Sequence, residues 1–314
     1  MGMVSHRATA TQSRFGVSLA RGLVIALLLG RPMVLSAQGD LRPSGSVPAT
    51  NECAAPPAEW IWCDDFEQDR LSQYFEHNDA GGRFVRMPGV GVGGSFGMRA
   101  RWQAAGDVEA GFLHLAIGKT PQSYLKPVDA GTEAYREVFW RLYLRLAPGW
   151  RGGGADKLTR AISLASSTWA EAMIAHVWSG TAPGPDQNYL VLDPASGTDG
   201  AGTVRTTKYN DFQQLRWLGL TRGTTPLFAD SAAGRWQCVE MHVRLNDPGQ
   251  ANGVFEVWLN GSLEARKAEL NWAGTFTTYG INAIFVENYW NAGAPQPEER
   301  YIDNLVVSRA RVGC

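Results

Sequence analysis

The sequence predicts an all-β fold in which two antiparallel sheets pack as a β-sandwich. Short runs that alternate apolar and polar residues recur from residue 60 onward, as expected for strands with one packed and one wet face. Glycine, proline, asparagine and aspartate separate these runs. Only residues 210–215 hint at a helical turn, and no internal repeat is visible. Many short strands and few helices indicate a sandwich.

About a dozen runs satisfy this strand pattern. The glycine-rich stretch from Gly89 to Ser95 is interpreted as a turn, since it lacks the Gly-Lys-Ser/Thr ending of a phosphate loop and no helix pattern follows it. In chain order the predicted strands are Trp60–Glu67, Phe84–Arg86, Met98–Trp102, Phe112–Ile117, Glu137–Leu146, Lys157–Leu164, Ala172–Trp178, Tyr189–Leu192, Arg216–Gly219, Gly234–Asn246, Asn252–Gly261, Tyr279–Trp290 and Tyr301–Val307.

The first residues have the pattern of a secretory signal peptide. Residues 1–21 carry arginines and no acid, Gly22–Gly30 is an apolar run, and Leu35-Ser-Ala37 ends in a small residue. We therefore expect residues 1–37 to be removed and the protein to be secreted or periplasmic. An uncleaved anchor is the alternative, although Arg31 and Pro32 interrupt the run. No later segment is apolar enough to cross a membrane, so we expect no membrane partner after cleavage.

The composition and length of the remaining chain indicate its domain organisation and its charge. Residues 38–57 are rich in Gly, Pro, Ser and Ala and are predicted to be a disordered leader. Residues 58–314 suit one large β domain, which we expect to be monomeric. The whole chain has 29 basic and 30 acidic residues, and the predicted signal holds four of the arginines and no acid. The mature net charge is therefore near −5. Nothing suggests nucleic-acid binding, and an acidic polymer would need a local basic patch.

All four cysteines lie beyond the predicted signal, and an even count in an exported chain predicts disulfides. Three pairings are possible. We favour Cys53–Cys63, which closes a short loop before the first strand, and Cys238–Cys314, which joins the C-terminus to the Trp236 strand.

Period-two alternation divides the middle strand into two faces. Val138, Trp140 and the leucines after them form a core face. Glu137, Arg141, Tyr143 and Arg145 share the opposite face with Phe139. Two arginines that bracket a tyrosine could bind a uronate carboxylate and stack on a sugar ring, although an ordinary solvated face is the alternative.

Other strands offer matching sets of side chains. Ile174, His176 and Trp178 share one face of their strand, and Phe285, Glu287 and Tyr289 share one face of another. A sheet that carries Arg, Tyr, His, Trp and Glu has the composition of a sugar groove. A polysaccharide or oligosaccharide is therefore the expected partner.

The closing strands resemble those of the concanavalin A-like jelly-roll superfamily. A "W-x-x-V-E" strand at Trp236–Glu240, a strand that ends in Trp-Leu-Asn-Gly261, and the final Tyr301–Val307 run are similar to those of secreted polysaccharide lyases, of the glucuronan and alginate type, and of related sugar-binding proteins. The resemblance covers roughly residues 60–314. It implies a two-sheet antiparallel jelly roll with a groove on its concave sheet.

The resemblance also implies β-elimination at a uronate. This reaction needs a group that neutralises the carboxylate, a base for the α-proton and an acid for the leaving oxygen. The implied neutraliser is Arg141 or Arg160, the base His176 or a tyrosine, and the acid Tyr143 or Tyr289. We expect these catalytic groups to converge on one concave sheet. The predicted substrate contacts are Glu137, Arg145, Arg160, Trp178 and Glu287.

Two other functions remain as alternatives. A non-catalytic carbohydrate-binding protein needs only the aromatic and hydrogen-bonding groups. A retaining glycosidase needs two carboxylates about 5 Å apart, and the "E-x-D-x-x-E" run of such enzymes is absent, so that Glu137 and Glu287 could pair only across strands.

The same resemblance implies a structural calcium ion between the first strand, the early glycine-rich loop and the last strand. The matching residues are Asp65, Glu67, the carbonyls near Ser95, and Asp303. Such hard oxygen ligands suit Ca²⁺. An exposed acidic strand end is the alternative interpretation.

Overall fold

The protein is a sandwich of two eight-stranded antiparallel sheets, seen in a computed structural model that describes residues 50–314. The predicted signal peptide and most of the predicted leader lie outside the described residues. The sixteen strands, in chain order, are β1 (Trp60–Asp64), β2 (Glu76–Asn78), β3 (Phe84–Met87), β4 (Gly97–Trp102), β5 (Glu109–Ala116), β6 (Glu137–Leu146), β7 (Asp156–Leu164), β8 (Glu171–Ser179), β9 (Leu190–Ser196), β10 (Arg216–Trp217), β11 (Thr221–Arg222), β12 (Gln237–Arg244), β13 (Gly253–Leu259), β14 (Ser262–Leu270), β15 (Ala283–Trp290) and β16 (Glu298–Ser308).

Helical structure in the described residues is limited to short 3₁₀ turns. They are Glu52–Ala54, Leu71–Gln73, Val92–Gly94, Ser123–Leu125 and Asp230–Ala232. Within residues 50–314, no helix is long and apolar enough to span a membrane. The predicted all-β class is therefore confirmed.

The two sheets have different strand sets. The back sheet has the order β14-β13-β12-β6-β16-β4-β3, with β1 also paired to β16. The groove sheet has the order β10-β9-β8-β7-β15-β5-β2, with β11 also paired to β9. Several neighbours in each sheet are far apart in sequence, such as β6 with β16 and β5 with β15, which is the long-range pairing of a jelly roll.

The core lies between the inner faces of the two sheets. The alternation predicted for β6 is confirmed, because its apolar set from Val138 to Leu146 is buried in the main cluster. Five tryptophans are fully buried, and they are Trp102, Trp140, Trp150, Trp272 and Trp290. Burial of this apolar surface is the main stabilising contribution. The polar faces of the groove sheet are left to form a site on the outside.

Both favoured disulfides are present. Cys53 is bonded to Cys63 on β1, and Cys238 on β12 is bonded to Cys314. The first bond draws the 3₁₀ turn Glu52–Ala54 onto the back sheet. The described end of the predicted leader thus packs against the domain, and the boundary at residue 58 stays a prediction.

Candidate functional site

A groove of about 500 Å³ lies on the outer face of the groove sheet. Its wall is formed by side chains of β5, β7, β8 and β15, with residues 209–212 closing one side. The lining side chains that carry charge or can transfer a proton are Glu76, Glu109, His114, Lys157, Arg160, Tyr209, Glu287 and Tyr289.

One row of this wall places three chemically different groups on adjacent strands. Tyr289 of β15 pairs with Glu109 of β5 on one side and with Lys157 of β7 on the other. Trp178 of β8 continues the row beyond Lys157. The Lys157 Nζ lies 4.4 Å from the centroid of the Tyr289 ring and 5.7 Å from that of Trp178. A carboxylate, a phenol and an ammonium group thus face one sugar-sized space.

Strand irregularities bring this row together. The register shifts between Lys157 and Thr159, and again between Glu287 and Tyr289. On β5, Gly111 has φ +90°, and a Cβ there would lie 2.4 Å from the Asn78 carbonyl oxygen. Only glycine suits that position, and the kink changes the direction of the strand. Bulges beside a site commonly re-aim side chains in this way.

A buried arginine fixes the backbone under the row. Arg300 of the back sheet donates to both oxygens of Asp156, at 3.0 and 2.8 Å, and to the Lys157 carbonyl at 2.7 Å. It also donates to the Asn288 side chain at 2.7 Å and to the Glu287 carbonyl. Burial raises the pKa of Asp156 to about 6, against the opposing effect of Arg300. This cluster ties both shifted strands to the opposite sheet.

Lys157 is the available cation of the groove. Its ammonium group makes no ion pair with a carboxylate of residues 50–314. Burial lowers its pKa, and the charge of Glu287 partly opposes this change. A desolvated and unpaired ammonium group suits the binding of an incoming anion.

Arg160, in contrast, already uses both terminal nitrogens in hydrogen bonds, although its buried Nε has no partner among the described residues. It donates to Glu287 at 2.7 Å, to Asn210 at 3.0 Å and to the Tyr209 hydroxyl. Its Nη1 is also 3.4 Å from His176 Nε2. Both members of the Arg160–Glu287 pair are buried, and removal of one would leave an uncompensated charge. The arginine is therefore a structural centre of the groove floor.

His176 lies beneath the floor and is neutral. Its Nδ1 is 3.3 Å from the Asp193 carbonyl oxygen, so Nδ1 is the donor and Nε2 accepts from Arg160. Burial, followed by the charges of Arg160 and Lys157, lowers its pKa well below the usual range. Trp217 stacks over its ring at 5.8 Å. With its lone pair directed at Arg160, His176 is poorly placed to act as a base.

His114 is a second neutral imidazole of the floor. Its Nδ1 is 2.9 Å from Glu76, and its ring stacks between Phe112 and Phe285 at 4.1 and 3.5 Å. Burial lowers its pKa, against the opposing effect of the hydrogen bond that it donates to Glu76. It pairs with Phe285, which is four residues from Tyr289 and therefore about 13 Å along the strand. His114 and Tyr289 therefore lie in different parts of the groove.

Glu171 holds the loop that closes the groove. One of its oxygens accepts from the Asn210 amide at 3.0 Å, and the other is buried without a hydrogen-bond partner among the described residues. Burial raises its pKa to about 7, although Arg160 and the Asn210 amide oppose this. The loop carrying Tyr209 is therefore attached to a group that titrates near neutrality.

Comparisons with known proteins agree with this architecture. Residues 221–294 match the family described as Polysaccharide lyase 14. An endo-β-1,4-glucuronan lyase from the fungus Trichoderma reesei has a TM-score of 0.51 at 12% identity, over 80% of this chain and 96% of that one. The marine PL-14 alginate lyase from Aplysia kurodai has a TM-score of 0.53 at 12% identity, over 80% and 99%. This chain has their jelly-roll fold. No curated protein sequence matches it at a significant level.

The predicted convergence of four catalytic residues is wrong. His176 and Tyr289 lie on the groove sheet, whereas Arg141 and Tyr143 lie on β6 of the back sheet. Alternation identified the outward face of β6 correctly, but that face belongs to the other side of the sandwich. Arg141 and Tyr143 therefore cannot reach the groove.

The outward face of β6 is occupied by structural contacts. Arg141 forms a bidentate ion pair with Glu52, one bond of which is 3.1 Å. Tyr143 donates to the Cys314 carbonyl at 3.2 Å. Arg145 donates to a loop carbonyl and Glu137 lies 2.8 Å from His242, so these two predicted substrate contacts are also misplaced.

The other predicted contacts do line the groove. They are Arg160, Trp178 and Glu287, and Tyr289, which was predicted as the acid, lines the groove as well. Their placement agrees with the expectation, and their roles remain predictions. The sequence pattern does not predict Glu109 and Lys157 as site residues. Strict alternation takes no account of the bulges that turn these two side chains toward the groove.

Most of the predicted calcium ligands surround one loop. Asp303 and Glu67 each accept a hydrogen bond from a backbone amide of residues 92–96, at 2.7 and 2.9 Å, and the Ser95 hydroxyl is 3.4 Å from Asp303. Burial raises the pKa of Asp303 to about 7. Asp65 instead accepts from the amide of Cys53. Among residues 50–314, no group of three acidic, His or Cys residues is close enough to hold a metal. The donor set thus fits calcium only in part.

Proposed function

We propose that this protein is a polysaccharide lyase that cleaves a uronate-containing glycan by β-elimination in the groove. The observation that carries the proposal is the row formed by Glu109, Tyr289 and Lys157, which supplies three required functions on neighbouring strands. The match of residues 221–294 to a polysaccharide lyase family supports it.

Each member of the row has one role. Lys157 neutralises the uronate carboxylate, which makes the α-proton at C5 acidic enough to remove. Glu109 takes that proton as the base. The electron pair forms the C4–C5 double bond, the bond from C4 to the glycosidic oxygen breaks, and Tyr289 protonates the departing oxygen. The products are a new unsaturated uronate end and a free hydroxyl.

The surroundings favour these three over the other candidates. Tyr289 is 38% exposed, so a sugar can contact its hydroxyl. Arg160 is already bonded to Glu287, and His176 directs its lone pair at Arg160. Trp178 lines the groove beside Lys157 and adds an apolar wall to the uronate position.

The test is ultraviolet absorbance of the unsaturated product with a panel of uronate-containing glycans, both homopolymeric and mixed with neutral sugars. Tyr289→Phe and Glu109→Gln should each lower kcat by about 10²–10⁴-fold while substrate still binds, since each removes one proton transfer. Tyr301→Phe removes a hydroxyl on the back sheet and is the matched control. Turnover that survives Tyr289→Phe would remove the assigned acid from the mechanism.

A second candidate is a carbohydrate-binding protein without catalysis. The exposed aromatic surface beside the groove, formed by Phe212 and Trp217, favours binding in its own right. Retention of oligosaccharide with no unsaturated product from any homopolymeric or mixed member of the panel would establish this function instead. A glycosidase with Glu137 and Glu287 is not supported, because these two residues lie on different sheets.

Three further expectations accompany the proposal. We propose that Glu67 and Asp303, with carbonyl groups of the adjacent loop, bind a structural calcium ion. We also propose that the protein is exported and acts as a monomer.

A further inference from the structure

The charges on the groove wall are poorly suited to a polymer of uronates. The lining contains three carboxylates, Glu76, Glu109 and Glu287, and two cations, Lys157 and Arg160. The Arg160–Glu287 pair is internally neutral. The remaining wall therefore presents two carboxylates and one ammonium group to a bound sugar chain.

Glu76 keeps its negative charge. It receives hydrogen bonds from His114 at 2.9 Å and from the Tyr124 hydroxyl at 3.0 Å. Although burial acts in the opposite direction, these bonds and the proximity of His114 lower the pKa of Glu76. His114 is neutral and so does not cancel the charge. A second or third substrate carboxylate along this wall would face like charge without a free cation to bind it.

An uncharged aromatic surface continues the groove on the other side. Phe212 lines the groove and stacks on Trp217 at 6.3 Å with an 18° interplanar angle. The two side chains are 47% and 43% exposed. The neighbouring Arg216 alternates with Trp217 along β10 and donates to the Asn271 carbonyl, so its charge is directed away from the aromatic face. Large, flat and exposed aromatic rings in a row suit the apolar face of a neutral sugar.

We propose that the groove accepts one uronate, at Lys157, flanked by neutral sugars that stack on Phe212 and Trp217, so that the substrate is a mixed glycan and not a homopolymeric uronan. The inference rests on the proposed function for the identity of the uronate position. Each additional carboxylate held about 4 Å from Glu76 should weaken binding about fivefold in water-like surroundings.

The experiment varies the number of carboxylates on an oligosaccharide while its glycosidic linkage stays the same. Glucuronan and alginate oligosaccharides of one length are carboxyl-reduced to graded extents, and calorimetry measures their Kd for the full-length protein. Affinity should rise by at least fivefold at intermediate reduction and fall again when no carboxylate is left. Glu76→Gln should improve binding of the unreduced oligosaccharides, and Trp217→Ala should abolish the gain at intermediate reduction. Leu263→Ala, an equally exposed apolar position on the back sheet, is the control.

Two results would overturn the inference: tightest binding by the fully charged oligosaccharides, or no binding by any member of the series. Because calorimetry measures Kd, the order of affinities among the oligosaccharides is obtained whether or not the protein cleaves them. Failure of the lyase function would be recorded separately, as binding without an unsaturated product.

Discussion

Arg141 offers a direct test between a catalytic and a structural arginine. Its face of β6 has the composition of a sugar site, yet its guanidinium group is 1% exposed and bonded to Glu52. Arg141→Met keeps much of the apolar stem and removes the charge. We expect the variant to lose stability and to retain its turnover per folded molecule, because the groove is on the other sheet.

The expected loss follows from burial of both partners. Removal of one member of a buried ion pair costs about 3–5 kcal/mol, since the other charge remains without compensation. For the 265 described residues, an unfolding entropy of about 2.1 cal/mol/K per residue gives about 0.56 kcal/mol per degree. The melting temperature should therefore fall by about 5–9 °C.

Denaturant unfolding of the wild type, Arg141→Met, Glu52→Gln and the double variant measures this loss. The double variant should be less destabilised than the sum of the single ones, because neither charge is then left alone. Arg145→Met, on the same strand face but half-buried, is the control and should cost less. A stable Arg141→Met protein that no longer cleaves its substrate would refute the structural assignment.

Three further predictions concern bonds, pH and metal. Replacement of both Cys238 and Cys314 by serine should lower the free energy of unfolding by about 2–5 kcal/mol, because their sequence separation is 76 residues; a Cys63–Cys314 peptide in non-reducing mapping would contradict the pairing. The pKa of Glu171 is raised by burial from 4.5 to about 7, so its contribution to stability is present at low pH and is lost as pH rises through about 7. Glu171→Gln should therefore show a smaller fall in unfolding free energy between pH 5 and pH 8 than the wild type, and parallel pH curves would argue against this. Calcium should raise the melting temperature relative to chelator in the wild type but not in Asp303→Asn, since an ion that binds only the native state stabilises it by mass action; an identical melt in both conditions would remove the calcium proposal.

The fold could be predicted because alternation and turn residues are local signals. The core face of β6 and the outward set of Phe285, Glu287 and Tyr289 follow directly from period two. The disulfide pairs follow from the even cysteine count and from which pairing closes sensible loops. These features depend on neighbours in sequence or on a small number of combinations.

The site could be predicted only in part, because it depends on which strands share a sheet. An outward face looks the same in sequence whether it borders the groove or the back, and so Arg141 was assigned to the wrong surface. Lys157 and Glu109 were missed for another reason: register shifts beside both residues interrupt period two. Bulges carry little sequence signal apart from a glycine such as Gly111.

Covalent reinforcement is confined to one half of the sandwich. Both disulfides, the Arg141–Glu52 pair and the C-terminal Cys314 lie on the back sheet, whereas the groove sheet contains none of these bridges. Side chains on β5, β7 and β15 can therefore be substituted while the disulfide-bonded back sheet continues to stabilise the fold. Substitutions on the groove sheet should therefore change the shape and charge of the groove at a smaller cost in stability than substitutions at the cross-linked positions of the back sheet.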